Sequence, residues 1–206
     1  MSRAFILGVV LAGLTSGADA AEFRTLGVSR DGDSYEVKAL IYLAAPPAAV
    51  FAVLTDYEHF TRISGSIVES RRVQQLDAAD ALVYTDTRFC ALLFCRHVKE
   101  MQKVTLAAPS DISSIVLPAK SDNVKSGSAE LHLEAEGEGT LLHWQIRLQP
   151  GFWVPPLLGP LLVEHSLESE GRRSAAGVEK LARERAHLPP LGDNEDHAAS
   201  EDKTQH

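Results

Sequence analysis

The sequence predicts an α+β fold in which a seven-stranded antiparallel sheet wraps a long C-terminal helix, with two short helices after the first strand. Three observations predict it. In residues 36–62, EVKALIYLAAPPAAVFAVLTDYEHFTR, a strand with Val37, Ala39, Ile41 and Leu43 at period two runs through a double proline into a helix. From Arg62 to Leu148, short strand-like runs alternate with turn signals, the spacing of an antiparallel sheet. From Pro155 to Arg185 the period becomes helical, with Leu161, Leu167, Gly171, Ala175, Val178, Leu181 and Ala182 on one face.

Met1 to Ala20 reads as a secretory signal: Arg3 in a basic start, an apolar run from Ala4 to Leu14, and Ala18-Asp19-Ala20 as an A-x-A cleavage site. The run is shorter than the ~20 residues a membrane span needs and holds no cysteine for lipid attachment. The mature chain is expected to start near Ala21, pass through a segment 21–33, and lie in the periplasm. In the domain, 34–186, Pro46 and Pro47 suit the first turn of a helix whose apolar face is Val50, Phe51, Val53 and Leu54. Asp56 is expected to cap the next short helix, and Tyr57 to pack at its edge. Further strands are expected over 66–74, 81–89, 96–106, 112–117, 128–135 and 141–148.

Glu136-Gly137-Glu138-Gly139 is a tight-turn signal that fixes the register of the last hairpin. Leu133 then opposes Leu142, Leu131 opposes Trp144 and Ala129 opposes Ile146 on one apolar face. The other face collects Glu130, His132, Glu134, His143, Gln145 and Arg147, which an open sheet turns to water. The tail 187–206 holds Asp193, Glu195, Asp196, Glu201 and Asp202 against Lys203. Those five acids less one base leave −4, half of the chain's formal charge of −8, in a segment composed for disorder. The body is mildly acidic and has no basic, aromatic-studded stripe, which argues against nucleic acid as a partner.

The order strand, helices, strands, closing helix, and the segment APPAAVFAVLTDY, resemble the START/SRPBCC superfamily over roughly residues 34 to 185. This is the helix-grip (START/Bet v 1-like) fold, with polyketide cyclase/dehydrase-like and coenzyme Q-binding, Coq10-like members. The resemblance implies an apolar cavity between the sheet and the last helix, holding a hydrophobic small molecule or lipid. It does not choose between binder, carrier, cyclase and hydrolase.

Cys90 and Cys95, the only cysteines, flank Ala91-Leu92-Leu93-Phe94 between two strands, and in an oxidising compartment such a pair reads as a disulfide. Two packed, reduced thiols are the alternative. The bridge would set the register: Arg88 facing His97 and Asp86 facing Lys99 outside; Val83, Thr85, Thr87 and Phe89 facing Gln102, Glu100, Val98 and Arg96 inside. Glu100 and Gln102 then point inward, where a carboxylate needs a partner or a raised pKa, with Arg96 and Thr85 as candidates. Thr85, Glu100 and Gln102 then orient a polar head group, with Val98, Leu131, Leu133 and Trp144 forming apolar wall, unless a strand irregularity returns Glu100 to water.

Hairpin tips are usually polar, so Leu92, Leu93 and Phe94 are expected either to fold over the cavity mouth or to touch a membrane surface or partner transiently. Phe152 and Trp153, in an apolar stretch leading to Leu161, read either as the opposite lip of the cavity or as an ordinary strand-to-helix connection buried in the core. Glu100 is also the best candidate for general acid-base catalysis if the protein is an enzyme, ahead of Asp56 and Tyr57, which have no third group to orient a base. Opposed His132 and His143 beside Glu130 and Glu134 carry the residue types of a zinc site, but on a solvated face, and no metal or cofactor is expected.

Overall fold

The computed structural model describes residues 21–91, 94–154 and 159–191. The expected signal segment, the tip residues Leu92 and Leu93, the lip residues 155–158 and the acidic tail beyond 191 lie outside these, as does the side chain of Phe94. The described part is one antiparallel sheet of eight strands, β1 (Glu22–Asp31), β2 (Ser34–Leu43), β3 (Ile67–Gln75), β4 (Asp80–Ala91), β5 (Phe94–Ala107), β6 (Asp111–Val116), β7 (Val124–Glu136) and β8 (Gly139–Pro150). Their spatial order is β1-β2-β8-β7-β6-β5-β4-β3. After β2 come helix α1 (Pro47–Leu54) and a 3-10 helix (Tyr57–Arg62), a second 3-10 turn spans Pro118–Lys120, and the long α2 is Gly159–Arg185. α2 packs on α1 and reaches both β1–β2 at one edge of the sheet and β4 near the other, so the sheet wraps it.

The strand count is eight rather than seven because the segment before Ser34 is itself a strand. Its apolar residues Phe23, Leu26 and Val28 do not alternate cleanly, since the pairing with β2 shifts between Phe23 and Thr25. The signal that announces it is Asp31-Gly32, a hairpin dipeptide: Asp31 pairs with Ser34, and Gly32 takes a φ of 59° that favours glycine.

Elsewhere local sequence and structure agree. β2 buries every second residue, including Ile41 and Leu43 with no exposure, each contributing about 1.5–3 kcal/mol of burial. Pro46 is extended (φ −61°, ψ 145°) and Pro47 opens α1, which buries Val50 and Val53 against α2. Asp56 stands at the start of the 3-10 helix, but its side chain makes no cap. It bonds instead to the side chains beside it, His59 Nδ1 at 2.8 Å and the Arg185 guanidinium through Nη2 at 2.6 Å, which hold its carboxyl below the ordinary range.

In the last hairpin, Leu133 pairs with Leu142, Leu131 with Trp144 and His132 with His143, around a turn at Gly137 and Glu138. In α2 the buried stripe is Val163, Gly171, Ala175, Val178 and Ala182. Leu161 is 63% exposed because, at ~100° per residue, it lies on the opposite side from Val163. Residues 187–191 lie back on α2, where Arg183 Nη2 donates to the Pro189 carbonyl at 2.7 Å.

Candidate functional site

A chamber of about 200 Å³ lies between the inner face of β4–β8 and the helices. Its walls are mainly apolar: Val83, Val104, Ile112, Leu131, Leu142 and Trp144 from the sheet, and Leu54, Phe60, Ile63, Ala175 and Val178 from the helical side. These residues face inward because each strand contributes alternate positions, and α2 covers them with its small-residue stripe. Polar atoms enter at only a few points, Tyr57, Thr85, Gln102, Ser114 and Ser174.

Of the residues expected at a ligand, Thr85, Gln102, Leu131 and Trp144 line this chamber. Glu100 stands one step along β5 from Gln102, opposite Thr85 across the strand pair. Gln102 Nε2 donates to Glu100 Oε2 at 2.8 Å. Burial pushes the Glu100 carboxyl up to about 7, against the smaller, opposing pull of that amide. Glu100 therefore changes its protonation near neutrality, and it stands behind Gln102 rather than in the chamber wall. Arg96 is not its partner; it is exposed on the tip side of Val98.

Val98 and Phe152 belong to a separate apolar cluster with Val116 and Val124, which closes the sheet beyond Glu100. Leu133 is buried in the main core under α2. Trp153 is 79% exposed, because the chain turns at Gly151, where its N–H reaches the Asn123 carbonyl at 2.8 Å, putting Phe152 in and Trp153 out. Trp153 and Leu161 are thus both exposed and stand outside the chamber.

Two hydroxyls were not among the expected ligand contacts. Tyr57, 4% exposed, has a hydroxyl with no hydrogen-bond partner, and burial raises its pKa. Ser70 on β3 is likewise buried and unpartnered, and it pairs with Thr85, so Ser70, Thr85 and Glu100 form one row across β3, β4 and β5. Asp56-Tyr57 is conspicuous in the sequence, but which way the ring turns depends on the 3-10 helix. Ser70 is hidden by two register shifts in β3, after Ile67 and after Arg72.

Cys90 and Cys95 oppose one another and are joined by a disulfide, and the strand register around them is the one their pairing implies. Beside the bridge a cleft of about 370 Å³ follows Thr87 and Phe89, the continuation of the inward row of β4, to the first half of α2. Two hydrogen bonds cross it: Ser66 Oγ to Glu170 Oε2 at 2.6 Å and Ser166 Oγ to the Cys90 carbonyl at 3.0 Å. A larger hollow, about 550 Å³, lies on the outer sheet face by Lys38, Glu130, His132, His143 and Gln145. Its walls mix charged side chains with apolar ones on an open face, whereas the chamber is almost wholly apolar, so size does not make it the better site for an apolar ligand. There His132 Nδ1 meets Asp111 Oδ1 at 2.6 Å, raising the histidine pKa, and no group of three metal-type side chains among the described residues is placed to hold a metal ion.

A family model described as polyketide cyclase/dehydrase and lipid transport matches residues 34–184. No curated protein matches the chain. Among solved structures, the Zhui aromatase/cyclase from Streptomyces sp. R1128 is similar, with TM-score 0.62 and 15% identity over 74% of this chain and 96% of that one. A START superfamily protein from Mycobacterium smegmatis gives TM-score 0.58 at 15% identity, over 71% of this chain and 98% of that one. A STAR-related lipid transfer protein from Xanthomonas axonopodis gives TM-score 0.55 at 15% identity, over 74% of this chain and 98% of that one. At these identities the likeness is one of fold.

Proposed function

The chain belongs to the polyketide cyclase/dehydrase and lipid transport family, and from that premise we propose that it is an exported, periplasmic protein that binds or carries a hydrophobic, lipid-like small molecule between sheet and α2. The lining of the chamber carries this reading: a mainly apolar wall that polar side chains interrupt only at Thr85, Gln102, Ser114, Ser174 and the unpartnered Tyr57. Apolar ligand surface buried there gains ~25 cal/mol per Å², and the row Thr85–Glu100 with Gln102 and Tyr57 orients a head group. Export is supported by the basic start, apolar run and A-x-A site of residues 1–20. The chamber is smaller than the ~300–1,000 Å³ of drug-sized sites. A long chain would therefore extend into the cleft at Thr87 and Phe89, and membrane contact would fall to the apolar tip at Leu92, Leu93 and Phe94.

Native mass spectrometry of protein purified from the periplasm, with solvent extraction of any retained molecule, tests the carrier reading directly. Ala129→Phe is expected to fill the chamber, lowering affinity for the extracted molecule, or for a fluorescent apolar probe, by more than ~10-fold. Unchanged affinity would place the ligand elsewhere. Tyr57→Phe removes a buried hydroxyl that has no partner in the empty protein, so it is expected to raise apo stability by about 1–2 kcal/mol and weaken ligand binding. Thermal unfolding with and without ligand reads both effects.

A cyclase-type enzyme is the second reading, favoured by the inward position of the Glu100 carboxyl, where burial pushes its pKa up to about 7, the range an acid-base group needs. Glu100→Gln separates the two. A carrier keeps most of its affinity, whereas an enzyme loses turnover.

A further inference from the structure

Glu179 is 1% exposed, lies in the buried stripe of α2 and has no part in the ligand chamber. Its Oε2 accepts from the Ala21 nitrogen and its Oε1 from the Ala44 nitrogen, each at 2.6 Å. One carboxylate thus ties the start of β1 to the loop between β2 and α1. The ion pairs along α2 are made by Glu168, Glu170 and Glu184 and by Arg172, Arg173 and Arg185, not by Glu179. Arg183, one turn away, donates to the carbonyls of Ala44 at 2.5 Å and Pro189 at 2.7 Å. Glu179 is therefore a buried acid held only by neutral amides, the situation in which a missing counter-charge costs most.

The residue that can supply the charge is already in contact. Ala18-Asp19-Ala20 places a cleavage site directly before Ala21. While Ala21 is internal its nitrogen is an amide with one proton and no charge. We propose that removal of residues 1–20 converts the Ala21 nitrogen into an ammonium that forms a buried ion pair with Glu179, so that Glu179 is the receptor for the new N-terminus. Hydrolysis of the Ala20–Ala21 bond by a signal peptidase consumes one water, leaving a carboxylate on Ala20 and, at neutral pH, an ammonium on Ala21. Ala21 is 7% exposed in the folded protein, so cleavage precedes folding. The fold of the exported chain is then complete only once the leader is gone. This rests on the signal-segment reading and is independent of the ligand.

The test uses full-length chain exported by a bacterial host, its first residue identified by mass spectrometry. Three forms are compared by thermal unfolding: chain starting at Ala21, the same chain Nα-acetylated after denaturation and refolded, and a chain with one extra N-terminal glycine. Each is made with Glu179 and with Glu179→Gln. The expected result is Ala21 as first residue, with acetylation or extension lowering the midpoint by roughly 5 °C or more only when Glu179 is present. The native α-amine should also resist acylation until the protein unfolds, a readout that decides alone if Glu179→Gln fails to fold. A different first residue overturns the proposal at the processing step. Equal losses in both backgrounds, or an α-amine that acylates as fast in the native as in the unfolded chain, overturn the ion pair and leave export standing.

Discussion

Gly177→Ala is expected to remove most of the protein's stability, on the order of 3 kcal/mol or more, although the same change in an open helix gains about 1 kcal/mol. The sign reverses because α2 crosses the end of the 3-10 helix with no room for a side chain at this point. An added Cβ would collide with the Ile63 carbonyl oxygen and stand 2.8 Å from its carbonyl carbon. Ile63 cannot easily move, since it is buried and its N–H donates to the Phe60 carbonyl at 2.9 Å. The collision would instead push α2 outward at Ala175 and Val178, which wall the chamber. Gly171, two turns earlier, is the internal control: an added Cβ there meets only Trp144 Cζ3 at 4.0 Å, an ordinary contact. Gly171→Ala should therefore stabilise by up to ~1 kcal/mol. Urea midpoints of the two variants moving in opposite directions would support this packing, and a neutral Gly177→Ala would refute it.

That contrast also marks what could be read from the residues alone. β2, α1 and the β7–β8 hairpin were legible because alternation, Pro46-Pro47 and the turn at Gly137 act within a few residues of themselves. The β4–β5 register was legible through one covalent constraint, Cys90 to Cys95, which placed Thr85, Glu100 and Gln102 on the inner face. β1 was not, because a register shift breaks its pattern, and neither were Ser70 and Tyr57, whose directions follow from two such shifts in β3 and from the 3-10 helix. Trp153 and Leu161 were misplaced for a simpler reason. An apolar stretch shows that some surface must be covered, but the turn at Gly151 and the helical phase decide which residue does so. The Glu179 contacts lie 158 and 135 residues away in sequence, beyond any local pattern.

Glu100→Gln should make the protein more stable above neutral pH and leave it unchanged in acid. In the folded protein burial raises this carboxyl from 4.5 to about 7, so the folded state holds its proton more tightly than the unfolded chain does. The associated stability is fully present below about 4.5, falls as pH rises towards about 7 and is gone above it. The interval corresponds to at most roughly 3 kcal/mol. The difference between the Gln variant and the wild type should accordingly be near zero at pH 4.5, grow across the interval and level off above 7, reaching roughly 5–10 °C in unfolding midpoint. Other titrating groups are common to both proteins and cancel in the difference. The ligand should report the same proton. Protonated Glu100 can donate to a carbonyl-type head group, so wild-type affinity for such a ligand should fall above pH 7, whereas Gln, a donor at every pH, should hold it constant. Parallel stability curves for the two proteins from pH 4.5 to 8 would show that water reaches Glu100 freely, and with that the head-group role of this row would fall.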